Sequence, residues 1–484
     1  MKKLSLLFLS VFSTFIFAQF TTPGNGTTYT LSTLSAAAPT VLVNNGTYYQ
    51  MTANITIAAN ATLLMDEDTT LKIDGGLVLT VAGTYNTTAT NLLITATNPA
   101  VVFKGFRLES TANVTFKNTT FEYGGGIQSL TGNFLMDNCI VQFNKSGQST
   151  GAAINFSTGN PVVKNSQFIE NDLPAVASGA NQTVALEFSN NYLFQNTKLN
   201  SNRPQINMGP SGAGGLSKIL NNTIIGNRAN DKVGGISVSG LLGTTNNVLI
   251  DGNTVTDNRY GITVTGNNAS GTISNNILTN NNVETVPNNG GSGINLNGSG
   301  SFKIENNQIR GHLWGITLVN NKVADLGGGS LGSVGNNVFK DNGNSGVIYA
   351  LYNNTPNAVS ATNNCWREGE LSTDAMVEEV ITHQVDISTL GLVTFSPYLC
   401  AVPLATSNAT VAQNSIYPNP SNGTFTFDAE KSGNIVVTDM TGKIVYSGIV
   451  NKGKNRVSVK ATSGTYVLLY QSEGKKSSSK LIIK

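Results

Sequence analysis

An asparagine recurs along most of this chain in one fixed context, and few folds can accommodate it. From Asn118 onward the pattern is an Asn, an intervening residue, an apolar residue, and a further Asn two or three positions later. Copies include Asn138-Cys139-Ile140, Asn165-Ser166-Gln167-Phe168, Asn191-Tyr192-Leu193, Asn222-Thr223-Ile224 and Asn253-Thr254-Val255. Asn276-Ile277-Leu278, Asn307-Gln308-Ile309, Asn337-Val338-Phe339 and Asn364-Cys365-Trp366 continue it, with neighbouring copies 20 to 31 residues apart. A second element travels with the first, a small residue followed by an alternating strand. It is seen at Gly235-Ile236-Ser237-Val238, Gly261-Ile262-Thr263-Val264, Gly293-Ile294-Asn295-Leu296, Gly315-Ile316-Thr317-Leu318 and Gly346-Val347-Ile348-Tyr349. One such unit cannot bury its apolar side alone, so the units must stack as coils. Strand neighbours then lie about 4.8 Å apart. Ile224, Val255, Leu278, Ile309 and Phe339 stack inside, while the Asn amides stack at a turn, each bonding the next coil.

Composition agrees. Charged residues make up 12% of the chain and hydrophobic ones 39%, so a core can form while Asn, Thr, Ser and 51 Gly fill the places that charge usually takes. Gly, Asn and Thr are weak helix formers, whereas Thr and Val suit strands and Asn and Gly suit tight turns. Ile55-Thr56-Ile57, Leu63-Leu64-Met65, Thr70-Leu71-Lys72-Ile73 and Leu77-Val78-Leu79-Thr80-Val81 read as opening coils. Between Trp366 and Cys400 the repeat is lost and one short helix is expected within Thr373 to Thr382, placed to cap the open end of the solenoid.

The repeat length and the Asn columns resemble the right-handed parallel β-helix of the pectin-lyase-like superfamily over roughly residues 50 to 400. That resemblance implies an architecture rather than an activity. Beyond a polar stretch at 403–414 the texture changes. Ile416-Tyr417-Pro418-Asn419-Pro420 leads to Gly423, Val436-Val437-Thr438-Asp439, Gly442-Lys443, Gly464-Thr465-Tyr466-Val467 and a final Lys480-Leu481-Ile482-Ile483-Lys484. These motifs resemble the C-terminal sorting domain of the type IX secretion pathway. The resemblance implies a small antiparallel β-sandwich over 415–484, export across an outer membrane and contact with the secretion machinery, its residues acting as an address. The expected fold class is thus all-β, a right-handed parallel β-helix solenoid followed by a small sandwich.

At the N-terminus, Lys2 and Lys3 precede the apolar run Leu4 to Phe17, and Ala18 offers a small residue before Gln19. This reads as a removable signal peptide over 1–18, too short for a membrane span, leaving 19–402 as the capped solenoid. The expected location is secreted or at the outer-membrane surface, with no transmembrane segment. The three cysteines are not a disulfide framework. Cys365 and Cys400 flank one segment and are candidates for a bridge, and Cys139 reads as a buried small hydrophobe.

A net charge of +2 gives no reason to expect nucleic acid as partner. With two histidines, His312 and His383, no multi-histidine metal site can form, and seven methionines are too few for a copper carrier. The hydrolases of the superfamily use aspartates with a Gly-His-Gly motif. Here Leu313 follows Gly311-His312, a departure that argues against them. Its lyases abstract a proton with Lys or Arg, often with calcium held by acidic residues, so calcium is the one cofactor the resemblance brings in.

Counting six positions on from Asn222 and Asn253 makes Arg228 and Arg259 vertical neighbours, with Asp231, Lys232 and Tyr260 beside them. Further along, Arg310, His312 and Trp314 occur together, and Lys340 falls in register with Arg310. Arg228, Arg259, Lys232 and His312 are the candidate catalytic groups. Tyr260, Arg310, Trp314, Asp231 and Lys340 are the candidates for substrate binding, because guanidinium groups pair carboxylates and indoles stack on sugar rings. Each also has a plain structural account. Two arginines balanced by Asp231 and Asp257 describe a solvated face, His312 stands where a ladder Asn belongs, Trp314 can pack at a coil edge, and Trp366 belongs to the cap. The resulting expectation is recognition or processing of an extracellular polysaccharide or cell-surface glycan, a lyase being the enzymatic version. The alternative is a non-catalytic surface adhesin or structural solenoid.

Overall fold

The structure, a computed structural model, describes residues 19–399, 416–439, 443–472 and 475–484. The expected signal peptide, the linker 403–414 and Cys400, and with it the Cys365–Cys400 pairing, lie outside the described residues. Contacts divide the chain into two units, 1–402 and 403–484.

In the first unit the chain runs through three strands per coil, short because a turn interrupts every few residues. Asn54–Ile57 lies in sheet 1, Thr62–Met65 in sheet 2 and Thr70–Ile73 in sheet 3, before Val78–Val81 returns to sheet 1. Repetition of this circuit stacks sheets of 14, 14 and 13 strands, parallel apart from the antiparallel pair Leu42–Asn44 and Tyr49–Met51 at the start of the third, the right-handed parallel β-helix. The N-terminal end is covered by the helix Leu31–Ala37, capped by Thr30. At the C-terminal end lies the helix Asp374–Glu378, capped by Thr373.

Alternation along each strand sends every second side chain inward. Leu193, Ile224, Val255, Leu278, Ile309 and Phe339 pair in direct register on sheet 3 and are fully buried. Ile236, Ile262, Ile294, Ile316 and Leu351 do the same on sheet 1. Burying each such side chain contributes about 1.5–3 kcal/mol, so the continuous column drives the stacking. Trp366 closes it, stacked on Phe339 with ring centroids 4.9 Å apart and 4° between planes.

Asparagine holds the turns. Starting from Asn191, the Oδ1 of Asn222, Asn253, Asn276, Asn307, Asn337 and Asn364 each accepts both the backbone N–H and the Nδ2 of the Asn one coil earlier, at 2.9–3.1 Å. The same Nδ2 groups also reach carbonyls such as Val163, Phe188 and Ile219. The column is one residue out of register with the spacing read from Asn138 and Asn165. Those two take left-handed backbone at φ 56° and 52°, and the rungs are Cys139, whose N–H bonds Ser166 Oγ, and Ser166 itself, whose N–H bonds Asn191 Oδ1. The frequent Asn-Asn pair thus has two jobs: the first Asn, as at 190, 221, 275, 306, 336 and 363, turns the chain, and the second builds the ladder.

A second ladder follows sheet 3, running Asn144, Asn171, Asn196, Gln205, Asn258, Asn281, His312, Asn342. Gln205 stands in where the chain near Asn227 leaves the column. Its Oε1 accepts from Asn196 and its Nε2 donates to Asn258.

The second unit is a small antiparallel sandwich. One sheet pairs Ile416–Tyr417, Thr424–Ala429 and Gly453–Ser458, and the other pairs Ile444–Val450, Gly433–Thr438, Gly464–Ser472 and Lys475–Ile483. Its own core includes Phe425, Phe427, Ile435, Val437, Leu468 and Leu481.

Candidate functional site

The outward side chains of sheet 1 converge on a groove of about 440 Å³. Its floor comes from strands in register, which set Thr263, Asn295, Thr317 and Tyr352 in one line across four coils. Thr317 Oγ1 accepts from Asn295 Nδ2 at 2.7 Å and lies 3.1 Å from Ser292 Oγ. One wall is the segment Pro287–Gly290, and the Trp314 indole ties itself to that wall by donating to the Pro287 carbonyl at 3.0 Å. Trp314 is stacked 5.5 Å from Tyr352 at 19° and lies 4.5 Å from Tyr349. Aromatic rings beside hydroxyls and amides can stack on an apolar ring face while bonding the groups at its edge.

Arg259 and Tyr260 form the opposite end. Arg259 is a strut: Nη1 donates to Asn202 Oδ1 and Nη2 to the Asn289 carbonyl, linking one coil to the groove wall. Its Nε is buried without a partner, and a Cβ on residue 290 would press on the Arg259 side chain. The Tyr260 ring lies where a Cβ on residue 234 would be, 2.1 Å from its nearest atom, so glycine is required there. Burial pushes the Tyr260 phenol up to about 12, which keeps it a protonated donor at any ordinary pH.

Of the residues expected at a site, the structure brings Arg259, Tyr260 and Trp314 together. The vertical pairing of Arg228 with Arg259 is corrected. More residues separate Ile225 from Ile236 than separate Thr256 from Ile262, so Arg259 N–H bonds Val233 O and Arg228 falls within an inserted turn. There its guanidinium is held by Asp257 at 2.9 Å, Asn282 Oδ1 at 3.1 Å and Asn280 O at 3.3 Å. Asp231 and Lys232 sit on the exposed turn of the same insertion, bonded to Asn200.

Arg310 and Lys340 are in register, but on sheet 3. Arg310 forks onto Glu368 at 2.6 and 2.9 Å, and that hydrogen bonding holds the Glu368 carboxyl below its usual range. His312 is buried as a rung, its Nδ1 accepting from Asn281 N–H while its own N–H bonds Asn342 Oδ1. Burial holds its imidazole down at about 3, so it is neutral and shut off from the groove's chemistry. The calcium that the resemblance brings in does not fit here. The groove offers hydroxyls, amides and carbonyls but no carboxylate, and among the described residues no cluster of three or more His, Cys, Asp or Glu could hold a metal.

Sequence reasoning missed Asn295, Thr317 and Tyr352. The first two lie inside alternating segments in which the inward apolar residues carry the stronger signal. Tyr352 was hidden by a misplaced strand. Val347–Ile348 is an exposed antiparallel arm paired with Gly343–Asn344, and the column resumes at Leu351–Asn354.

Three family comparisons bear on the chain. Residues 177–322 match a family described as right handed beta helix region, and residues 415–484 match a secretion system C-terminal sorting domain. Residues 286–369, which include the wall at Pro287 and the Trp314–Tyr352 stack, match a family described as protein of unknown function (DUF1565). Neither a curated protein nor a solved structure matches. No helix among the described residues is long and apolar enough to cross a membrane. The sorting domain directs the protein to its secretion machinery. The chain is a right-handed parallel β-helix protein with a type IX secretion C-terminal sorting domain, secreted or displayed at the outer-membrane surface.

Proposed function

We propose that the solenoid recognises extracellular polysaccharide through the groove on sheet 1. The observation that carries this reading is the Trp314–Tyr352 stack set beside the polar line Thr263, Asn295 and Thr317. Pyranose rings combine an apolar face with a hydroxylated rim, and the groove presents the complement of both. The groups present favour binding over turnover. A phenol held protonated is a donor rather than a base, Arg259 is engaged as a strut, and the imidazole of His312 is buried in a ladder. Delivery outside the cell puts the groove where polysaccharides are.

The test is retention of the purified secreted protein on immobilised polysaccharides. Reducing ends and the ultraviolet absorbance of new unsaturated uronate are followed in parallel. Retention without either product is the expected result. A rise in absorbance would make the protein a lyase. Silence in every channel would leave the adhesin reading in its place.

A further inference from the structure

We infer that the groove takes a neutral polysaccharide, laid along the solenoid axis over Thr263, Asn295, Thr317 and Tyr352, and not a uronate chain. This rests on the reading of the groove as a polysaccharide site and names its ligand class.

The argument is electrostatic. Among the described residues lining the groove, Arg259 is the one ionised side chain, and both of its terminal nitrogens already hold protein oxygens, one on each side of the groove end. It fastens the wall, and its terminal nitrogens are engaged in doing so. The line of outward residues is uncharged well beyond the groove as well. From Gln128 through Asn155, Asn207 and Ser237 to Tyr352, the outward position of each coil is amide, hydroxyl, methyl or phenol. The row first meets charge at Arg107, which is neutralised by Glu109 at 2.6 Å.

A uronate chain brings a carboxylate on every sugar. Seating several of them against this floor would take water from them without a cation in return, which disfavours such a chain. A neutral chain meets no such penalty. Its hydroxyls both donate and accept, as do the Thr hydroxyls and Asn amides of the floor, and its apolar faces suit the indole of Trp314 and the phenol ring of Tyr352. Two of the cationic pairs elsewhere on the solenoid, Arg228–Asp257 and Arg310–Glu368, are closed ion pairs outside the groove's lining and add no anion site to it.

The experiment is affinity electrophoresis of the full secreted chain through gels carrying a neutral β-glucan, a neutral xylan, polygalacturonate or alginate, at low and high salt. The expected result is retardation by a neutral polysaccharide, with affinity changing less than about twofold between the two salt levels. Trp314→Ala and Tyr352→Ala, checked for an unchanged melting temperature, should each weaken it about tenfold. Retardation by polygalacturonate or alginate alone, weakening severalfold in salt, would overturn the neutral assignment while leaving polysaccharide recognition standing. Retardation by a neutral chain that both aromatic variants keep in full would overturn the groove as its seat. No retardation in any gel would remove polysaccharide recognition itself, and the present inference with it.

Discussion

Asn276 and Asn295 lie in one turn of the same solenoid, and their amides live in opposite circumstances. Asn276 is fully buried. Its Oδ1 accepts from the N–H and Nδ2 of Asn253, and its Nδ2 donates to Asn307 Oδ1 and to the Ile250 carbonyl. Asn295 is half-buried on the outer face of sheet 1 and donates to Thr317. The first amide is spent within the protein and the second retains capacity for a ligand. Burial and satisfaction, rather than residue type, separate scaffold from site in a chain so rich in asparagine.

The sharpest way to break this comparison is to remove both amides in turn. Asn276→Ala leaves the Asn253 N–H without its acceptor in the interior and breaks the ladder there, and should destabilise the solenoid by about 3 kcal/mol. Asn295→Ala should stay within about 0.5 kcal/mol while weakening polysaccharide retention. Chemical denaturation followed by circular dichroism measures the first and affinity electrophoresis the second. Equal losses of stability in the two variants would erase the distinction.

His312 offers the next largest effect, because it is a ladder rung that can titrate. Its folded-state value of about 3 lies below the ordinary value of 6.5, so the unfolded chain binds the proton first. The contribution is fully present above pH 6.5 and is lost as pH falls toward about 3, at about 1.4 kcal/mol per pH unit. His312→Asn supplies an amide without a titrating ring, so it should abolish about 2 kcal/mol of the loss between pH 6.5 and pH 5. Melting temperatures of both proteins across that range decide it, and parallel pH profiles would contradict the assignment.

On the groove side, Trp314→Ala should reduce retention about tenfold. Its melting temperature should move less than that of the Asn276 variant. The smallest effect belongs to Arg228→Ala. Its pair with Asp257 is more than half exposed on the arginine side, at 55%, so the change should stay within about 0.5 kcal/mol and leave retention untouched. A loss of binding in that variant would move the site away from sheet 1.

The scaffold was legible in the sequence because a ladder imposes the same residue at every coil. Asn222, Asn253, Asn276, Asn307 and Asn337 repeat visibly, and the apolar position two residues on, such as Ile224 or Leu278, follows them into the core. The ends of the ladder were less legible, since Ser166 and Cys139 take over as rungs while Asn165 and Asn138 turn the chain and bond the coil before at its exposed edge. The groove was legible in part. Trp314, Tyr260 and Arg259 stand out as rare residue types, but the floor is made of the commonest ones. Vertical alignment also fails wherever a turn gains residues, as it did for Arg228, and the arm at Gly343–Ile348 displaced Tyr352 from its apparent column.

Gln205 carries a consequence for how such a molecule can change. Where one circuit of the chain bulges outward and withdraws its asparagine, a longer amide borrowed from the preceding circuit spans the vacancy, so that Asn196 and Asn258 remain joined. Continuity of the spine is therefore decoupled from the length of any single turn. The turns around Asn227 and Arg228 can lengthen, shorten or be exchanged while Asn196, Gln205 and Asn258 stay joined, which makes that edge a natural place for new binding loops to be grafted, by evolution or by hand.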